Sequence, residues 1–197
     1  MAHSLMRSTA VVSAMTLLSR GFGFVRDLLM ARAFGAGPAM DAFFVAFKIP
    51  NFLRRLFAEG SFSQAFIPVL AERRAQGDLA EVRAFADRVA GTLGGILFIV
   101  TVLGVILAPV LIFLFAPGFD GANGQRELAI SLLRITFPYL LFISLAGFVG
   151  SVLNSYDRFA VPAFTPVWLN LIMIAAALLA VGHAYSPAHA LAWGVFA

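Results

Sequence analysis

The chain has 197 residues, of which 61% are hydrophobic and only 12% are charged, and its formal net charge is +4. A soluble domain carries about 25% charged residues, so this composition excludes an ordinary water-soluble fold and predicts a polytopic membrane protein. The sequence contains no Cys, which excludes a disulfide framework and a cysteine-built metal site within these residues.

The first two predicted helices are apolar but interrupted by charged residues. We expect them at about 8–34 and 41–70, separated by a Gly- and Pro-containing turn. No small-residue cleavage site follows the first apolar run, so we interpret it as a retained helix and not as a removable signal peptide. Pro50 lacks a backbone donor and is expected to kink the second helix.

Three later helices are long and free of charge in their centres. We predict them at about 87–116, 128–156 and 161–182, because each contains the roughly 20 apolar residues that cross a ~30 Å hydrocarbon core. The apolar runs lack the period-2 alternation of barrel strands. A last apolar run begins at residue 189 and has nine residues here, so we expect a truncated sixth helix that continues in a longer protein.

Basic residues in the connecting segments predict the orientation of the bundle. Most of them fall in segments that alternate helices place on one side of the membrane, namely Arg7, Arg73, Arg74, Arg83, Arg88 and Arg158. By the positive-inside rule, this side and the N-terminus are cytoplasmic.

The charges inside the first predicted helix are costly to insert. Arg20, Arg26 and Asp27 cost together roughly 8 to 10 kcal/mol near the centre of a bilayer, whereas the Leu, Val and Phe residues of this helix return about 3 to 6 kcal/mol. We therefore expect the charges to face protein or a water-filled cavity. Arg20 and Asp27 are seven residues apart and share one helix face, and Arg26 points to an adjacent side.

The second predicted helix carries a polar stripe of alternating sign, with Arg54 projecting elsewhere. The stripe consists of Asp41, Lys48, Arg55 and Glu59. The two helices together hold six Lys or Arg against three acids, so complete internal pairing would leave three cations over. Spare arginines suit an anionic substrate, because a guanidinium binds phosphate through two parallel hydrogen bonds. The competing interpretation is that these charges pair and hold the two helices together.

Other functional classes have little support in the sequence. The acids Asp27, Asp41 and Glu59 have no evident nucleophile or metal partner, so we expect no catalytic site, metal or cofactor. Nucleic-acid binding is not expected, because the basic residues lie within hydrophobic spans. The small residues Gly21 and Gly23 are expected to permit close helix packing.

Several motifs resemble those of the MurJ/MviN family. These are Ser19-Arg20-Gly21-Phe22-Gly23-Phe24-Val25-Arg26-Asp27, the long second-helix segment at 41–55, its continuation at 57–68, Ala116-Pro117-Gly118-Phe119 and Thr136-Phe137-Pro138-Tyr139. The resemblance covers nearly the whole chain. It implies an all-α exporter fold of the multidrug/oligosaccharidyl-lipid/polysaccharide (MOP) superfamily, in which two helical lobes rock around a central cavity and this chain is the N-terminal lobe, lacking its C-terminal partner.

The resemblance also implies a function and a set of site residues. The family flips lipid II, the undecaprenyl-diphosphate-linked peptidoglycan precursor, from the cytoplasmic to the periplasmic face of the bacterial inner membrane. By resemblance, Arg26 and Arg54 would meet the diphosphate, with Asp27 organising the arginines. The remaining cavity or gating positions are Arg20, Asp41, Lys48, Arg55 and Glu59. Two alternatives stay open: an exporter of another lipid-linked oligosaccharide or a drug, and a non-transporting membrane scaffold for cell-wall assembly.

Overall fold

A computed structural model describes residues 2–55, 61–119, 124–181 and 186–197, and its regular secondary structure in these ranges is entirely helical. The helices are α1 (Ala2–Phe34), α2 (Pro38–Arg54), α3 (Ser61–Ala75), α4 (Leu79–Ile106), α5 (Ala108–Phe115), α6 (Gln125–Thr136), α7 (Tyr139–Ser155), α8 (Ala160–Val181) and α9 (Pro187–Phe196). The predicted all-α architecture is confirmed.

Three stretches of the described chain are long and apolar enough to cross a membrane. They are Leu79–Ile106, Gln125–Ser155, which joins α6 and α7, and Ala160–Val181. Each overlaps one of the three uncharged helices predicted from the sequence, although the bounds differ. The chain is therefore a multi-pass membrane protein, and the charged helices α1 and α2 lie beside these spans.

One helix begins earlier than the sequence interpretation placed it. We expected the third helix from about residue 87, but α4 starts at Leu79. The Asp78 carboxylate accepts hydrogen bonds from the backbone N–H groups of Ala80 at 2.8 Å and Glu81 at 3.3 Å. This cap satisfies two of the donors that a helix start leaves free, so the polar segment before the span is already helical.

Prolines divide two helices that were predicted as continuous. The segment 87–116 separates into α4 and α5 just before Pro109, and the segment 128–156 separates into α6 and α7 at Pro138. A proline has no N–H for the carbonyl four residues earlier, and its ring displaces that carbonyl. The predicted helix at 41–70 is described as α2 and α3, and residues 56–60 between them lie outside the described part of the chain.

The packed interior of the bundle lies around α2, α6 and α9. These three helices contact one another, α7 packs on α4, and α1 packs mainly along α8. Phe43, Leu132, Leu133 and Leu191 are fully buried at the centre. The first helix is thus a neighbour of the eighth, an arrangement that no local sequence signal predicts.

The outer surface of the bundle is strongly apolar. Phe98, Ile106, Phe113 and Leu179 expose more than half of their surface on α4, α5 and α8. Contiguous apolar patches of this kind are rare on soluble monomers, whereas helices that satisfy their own backbone tolerate a lipid surrounding. The exposed side chains of these spans therefore fit a hydrocarbon environment.

Candidate functional site

A charged turn of α1 is joined to α8 by hydrogen bonds. The guanidinium of Arg26 donates to Asp27 Oδ1 from Nε at 2.9 Å and from Nη2 at 2.7 Å. Its Nη1 donates to Asn170 Oδ1 on α8 at 2.8 Å. The Arg26 side chain is 22% exposed and that of Asp27 is 65% exposed, so the pair lies at the edge of the protein interior. Arg26 is thereby held in one orientation from two sides.

The helix opposite, α2, is held by apolar packing. Ala42, Phe43 and Ala46 are completely buried, and Ile49 is nearly so. Pro50 lies inside α2 and has no N–H to offer the carbonyl of Ala46, four residues earlier.

That carbonyl has another donor. The Thr136 hydroxyl, buried at the end of α6, donates to Ala46 O at 3.1 Å. A buried carbonyl without a partner costs about 1–3 kcal/mol, so this bond lets α2 continue through Pro50 in the core.

Between α1 and α2 lies a cavity of about 650 Å³ that brings together most of the predicted site residues. Its charged lining comes from both helices and consists of Arg26, Asp27, Asp41, Lys48, Arg54 and Arg55. Four of these side chains are cationic and two are acidic, so the formal charge of the lining is +2. Phe44 and Phe47 contribute apolar wall, and Gly35 of the link between α1 and α2 also lines the cavity.

Two further cavities adjoin the charged one through shared residues of α2. A cavity of about 520 Å³ between α2, α7 and α8 shares Asn51 and Arg54 with it. A cavity of about 480 Å³ on the side of α5 shares Asn51, Lys48 and Arg55. Arg54 thus faces a different side from Lys48 and Arg55, as the helical spacing predicts.

Two of the predicted site residues are not part of this lining. Arg20 is exposed on α1 and does not contact the cavity. Glu59 lies outside the described residues, so its predicted position in the polar stripe stays a prediction. The remaining six predicted residues surround one space.

The pairing of the α1 charges differs from the competing interpretation. Arg26 pairs with its own neighbour Asp27 and with a neutral side chain of α8, and not with an acid of α2. Of the two glycines expected to allow close packing, Gly23 faces the Asn170 side chain at ordinary van der Waals distance, whereas Gly21 faces open space. Among the described residues, the recorded polar contacts of Arg26 therefore join α1 to α8 and not to α2, while Glu59 of the predicted second helix lies outside the described range.

Sequence reasoning missed Asn170. Its side chain is 7% exposed and its Nδ2 donates to the backbone oxygen of Ser19 at 3.0 Å. The sequence did contain a signal, which was a lone Asn inside an uncharged span. A buried amide needs hydrogen-bond partners, so such a residue indicates a polar contact with another helix. The identity of those partners required the contact between α1 and α8.

The arrangement suits the binding of an anion. In the described part of the chain, no group of three or more His, Cys, Asp or Glu residues could hold a metal ion. Planar guanidinium groups on two walls of one cavity can each present two parallel donors to a phosphate or carboxylate. The phenylalanine wall can accommodate an apolar portion of the same ligand.

Comparison with known proteins identifies the family to which the chain is similar. The profile of the family named lipid II flippase MurJ matches residues 30–197. A probable lipid II flippase MurJ of Vibrio cholerae is 48% identical over 98% of this chain, and that of Haemophilus influenzae is 50% identical over 92%. A lipid II flippase MurJ of Burkholderia cenocepacia is 46% identical over 98% of the chain.

A solved structure is also similar. It is that of a lipid II flippase MurJ in an inward closed conformation, with a TM-score of 0.77 and 31% identity over 95% of this chain. The chain corresponds to 40% of that solved chain and to 37–38% of the length of the three curated relatives.

Proposed function

This chain belongs to the lipid II flippase MurJ family, and from that premise we propose that it supplies one lobe of a flippase that moves lipid II across the bacterial inner membrane. The observation that carries the proposal is the cavity between α1 and α2, whose lining has a formal charge of +2. Lipid II presents a diphosphate between a polyprenyl chain and a glycopeptide. A cationic cavity within an apolar bundle matches the diphosphate.

Arg26 and Arg54 are the residues proposed to hold the diphosphate. They lie on opposite walls of the cavity, and each offers a planar fork of donors that a lysine lacks. Asp27 occupies two donors of Arg26 through one oxygen, which supports its role in orienting that guanidinium. Lys48 and Arg55 add positive charge to the same lining, and both also line the adjoining cavity beside Phe115 of α5.

Transport requires that the anion site is reached from both sides in turn. The relatives are longer than this chain, so the proposal assigns the facing cavity wall to the rest of a full-length flippase. In such a two-lobed arrangement, rocking of one lobe against the other exposes the site alternately. Asp41 and Arg20 are assigned to gating, as the family resemblance implies. The activity moves a lipid and makes or breaks no covalent bond.

The proposal is tested by flipping assays in a full-length family protein that carries these 197 residues. Arg26→Ala and Arg54→Ala should each lower lipid II flipping by roughly 10²-fold or more, since each removes one of the two guanidiniums proposed to hold the anion. Arg26→Lys and Arg54→Lys keep the charge but lose the fork, so flipping should also fall. The readout is lipid II accessibility at the outer face, alongside the membrane abundance of each variant.

The matched control is Arg83→Ala. Arg83 is a highly exposed arginine of α4 whose contact with Asp87 is 3.9 Å long, so its removal should leave flipping unchanged. Normal flipping by a well-inserted Arg26→Ala/Arg54→Ala double variant would refute the phosphate role. Transport of another lipid-linked oligosaccharide in place of lipid II would identify a sister exporter instead.

The proposal also places the N-terminus in the cytoplasm. The support is the pair of basic residues Arg73 and Arg74 in the last turn of α3, on the side that the positive-inside rule assigns to the cytoplasm. Since these 197 residues contain no Cys, single cysteines report sidedness once any others in the full-length protein are replaced. Asn123→Cys, at a position outside the described residues, should label from outside, and Arg74→Cys only after permeabilisation. The reverse pattern would contradict this orientation.

A further inference from the structure

Asn170 is a buried amide in the middle of an apolar helix. Between Ala160 and Val181, α8 has no charged residue, and Asn170 is one of its few polar side chains. An amide in such a place carries a large desolvation cost unless its donors and acceptor are used. Both ends of the Asn170 amide are used, and both of its partners belong to α1.

The amide bridges two turns of α1. Its Oδ1 accepts from Arg26 Nη1 at 2.8 Å, and its Nδ2 donates to the backbone oxygen of Ser19 at 3.0 Å. A weaker approach of Nδ2 to Ser19 Oγ measures 3.4 Å. Because a backbone oxygen is fixed by its helix, the contact with Ser19 sets the direction of the amide, and the amide oxygen then sets the position of Nη1.

The contacts of Arg26 leave part of its fork for a ligand. A guanidinium carries five N–H groups. Within the described residues, Asp27 takes one from Nε and one from Nη2, and Asn170 takes one from Nη1. One N–H each remains on Nη1 and Nη2, and Arg26 lines the charged cavity. Loss of the Asn170 contact would remove the hydrogen bond to Nη1. The plane of the Arg26 guanidinium could then turn about its remaining bonds to Asp27.

We propose that Asn170 is a positioning residue, which fixes the Arg26 guanidinium between α1 and α8 so that its two remaining N–H groups meet the anionic group of the substrate. The contact of these N–H groups with the substrate rests on the proposed function, whereas the fixing of Arg26 by Asn170 concerns only the folded protein. Asn170 itself does not line the charged cavity. Its effect on the ligand must therefore pass through Arg26.

The test is a double-mutant cycle in the full-length protein, with two readouts. The variants are Asn170→Leu, Arg26→Ala and the double variant. Leu has a similar size and removes both hydrogen bonds of the amide. The first readout is thermal stability in lipid nanodiscs without ligand, and the second is the Kd for undecaprenyl diphosphate. The control is Ser19→Ala, which keeps the backbone oxygen that accepts from Asn170.

The expected results separate positioning from a general structural role. Asn170→Leu should weaken diphosphate binding by roughly 10- to 100-fold, the scale of one hydrogen bond to a charged group. In the Arg26→Ala background, the same substitution should change Kd by no more than about twofold, because the residue it acts through is gone. The melting temperatures should likewise be non-additive, and Ser19→Ala should resemble the wild type.

Each contrary result has a distinct meaning. Additive effects on melting temperature would overturn the claim that Asn170 holds Arg26. An equal loss of binding in both backgrounds would show that Asn170 acts by general packing, which also overturns the proposal. If the wild type binds no undecaprenyl diphosphate while stability is non-additive, the proposed function fails and the positioning of Arg26 by Asn170 stands.

Discussion

The two walls of the charged cavity are held in place by different interactions. In α2, Ala42, Phe43 and Ala46 are completely buried, so apolar packing fixes the wall that carries Arg54. In α1, only Met30 is buried among the described side chains of residues 10–34. Both helices carry several charges, yet one is embedded in the core and the other is attached along a single neighbouring helix.

The difference shows two ways of placing a charged helix in an apolar bundle. The first is to bury one face and supply a donor for the carbonyl that a proline leaves free, as Thr136 does for α2. The second is to place one amide in a neighbouring apolar helix and attach the charged turn to it, as Asn170 does for α1. Substitutions of the buried apolar residues of α2 should therefore affect stability, and those at the α1–α8 contact should affect the site.

The largest expected effect comes from a matched pair of phenylalanines. Phe43 of α2 is completely buried, whereas Phe24 of α1 is 70% exposed. Phe43→Ala should lower the free energy of unfolding by about 3–5 kcal/mol, because it opens a cavity in the core. Phe24→Ala should change it by no more than about 0.5 kcal/mol. The melting temperatures of the two variants in detergent are compared with that of the wild type. Equal losses of stability would show that the two walls are not held in different ways.

A matched pair of glycines should give smaller effects on stability. The two substitutions should differ in sign from each other. A Cβ added at Gly104 in α4 would overlap the buried ring of Phe137, whereas one at Gly23 in α1 would lie 3.6 Å from Asn170 Nδ2. Gly104→Ala should thus destabilise the protein by about 1–3 kcal/mol. Gly23→Ala should leave stability unchanged or raise it by up to about 1 kcal/mol, through helix propensity.

The same melting experiment measures both glycine variants. Destabilisation by Gly23→Ala as large as that by Gly104→Ala would show that α1 and α8 are packed as tightly as the core. That outcome would contradict the account of α1 as a helix attached mainly by polar contacts.

Signals of composition and spacing predicted the parts of the fold that depend on local sequence. Run length identified the three uncharged spans, and helical spacing placed Arg54 on a different side from Lys48 and Arg55. The start of α4 was also encoded locally, in Asp78, but the cap was not recognised and the start was placed eight residues too late. The break at Pro138 could have been predicted in the same way.

Pairing of distant segments could not be predicted from one sequence. Arg26 and Asn170 are 144 residues apart, and neither segment carries a local signal that identifies the other as its partner. The cavity likewise depends on how α1 and α2 face each other across the link at Gly35, where φ is +62°. Arg20 resembles Arg26 in the sequence, yet it lies outside the cavity because the two arginines are six residues apart and point in different directions.

The central claim is that both walls contribute arginines to one anion site, and a binding cycle tests it most directly. In the full-length protein, the Kd for lipid II is measured for the wild type, Arg26→Ala, Arg54→Ala and the double variant. Each single variant should bind roughly 10- to 100-fold more weakly, since each loses charged hydrogen bonds. If the two guanidiniums hold one diphosphate, the loss in the double variant should be at least about threefold smaller than the product of the single losses. Losses that multiply to within about twofold would show that Arg26 and Arg54 act independently, and would contradict a shared site.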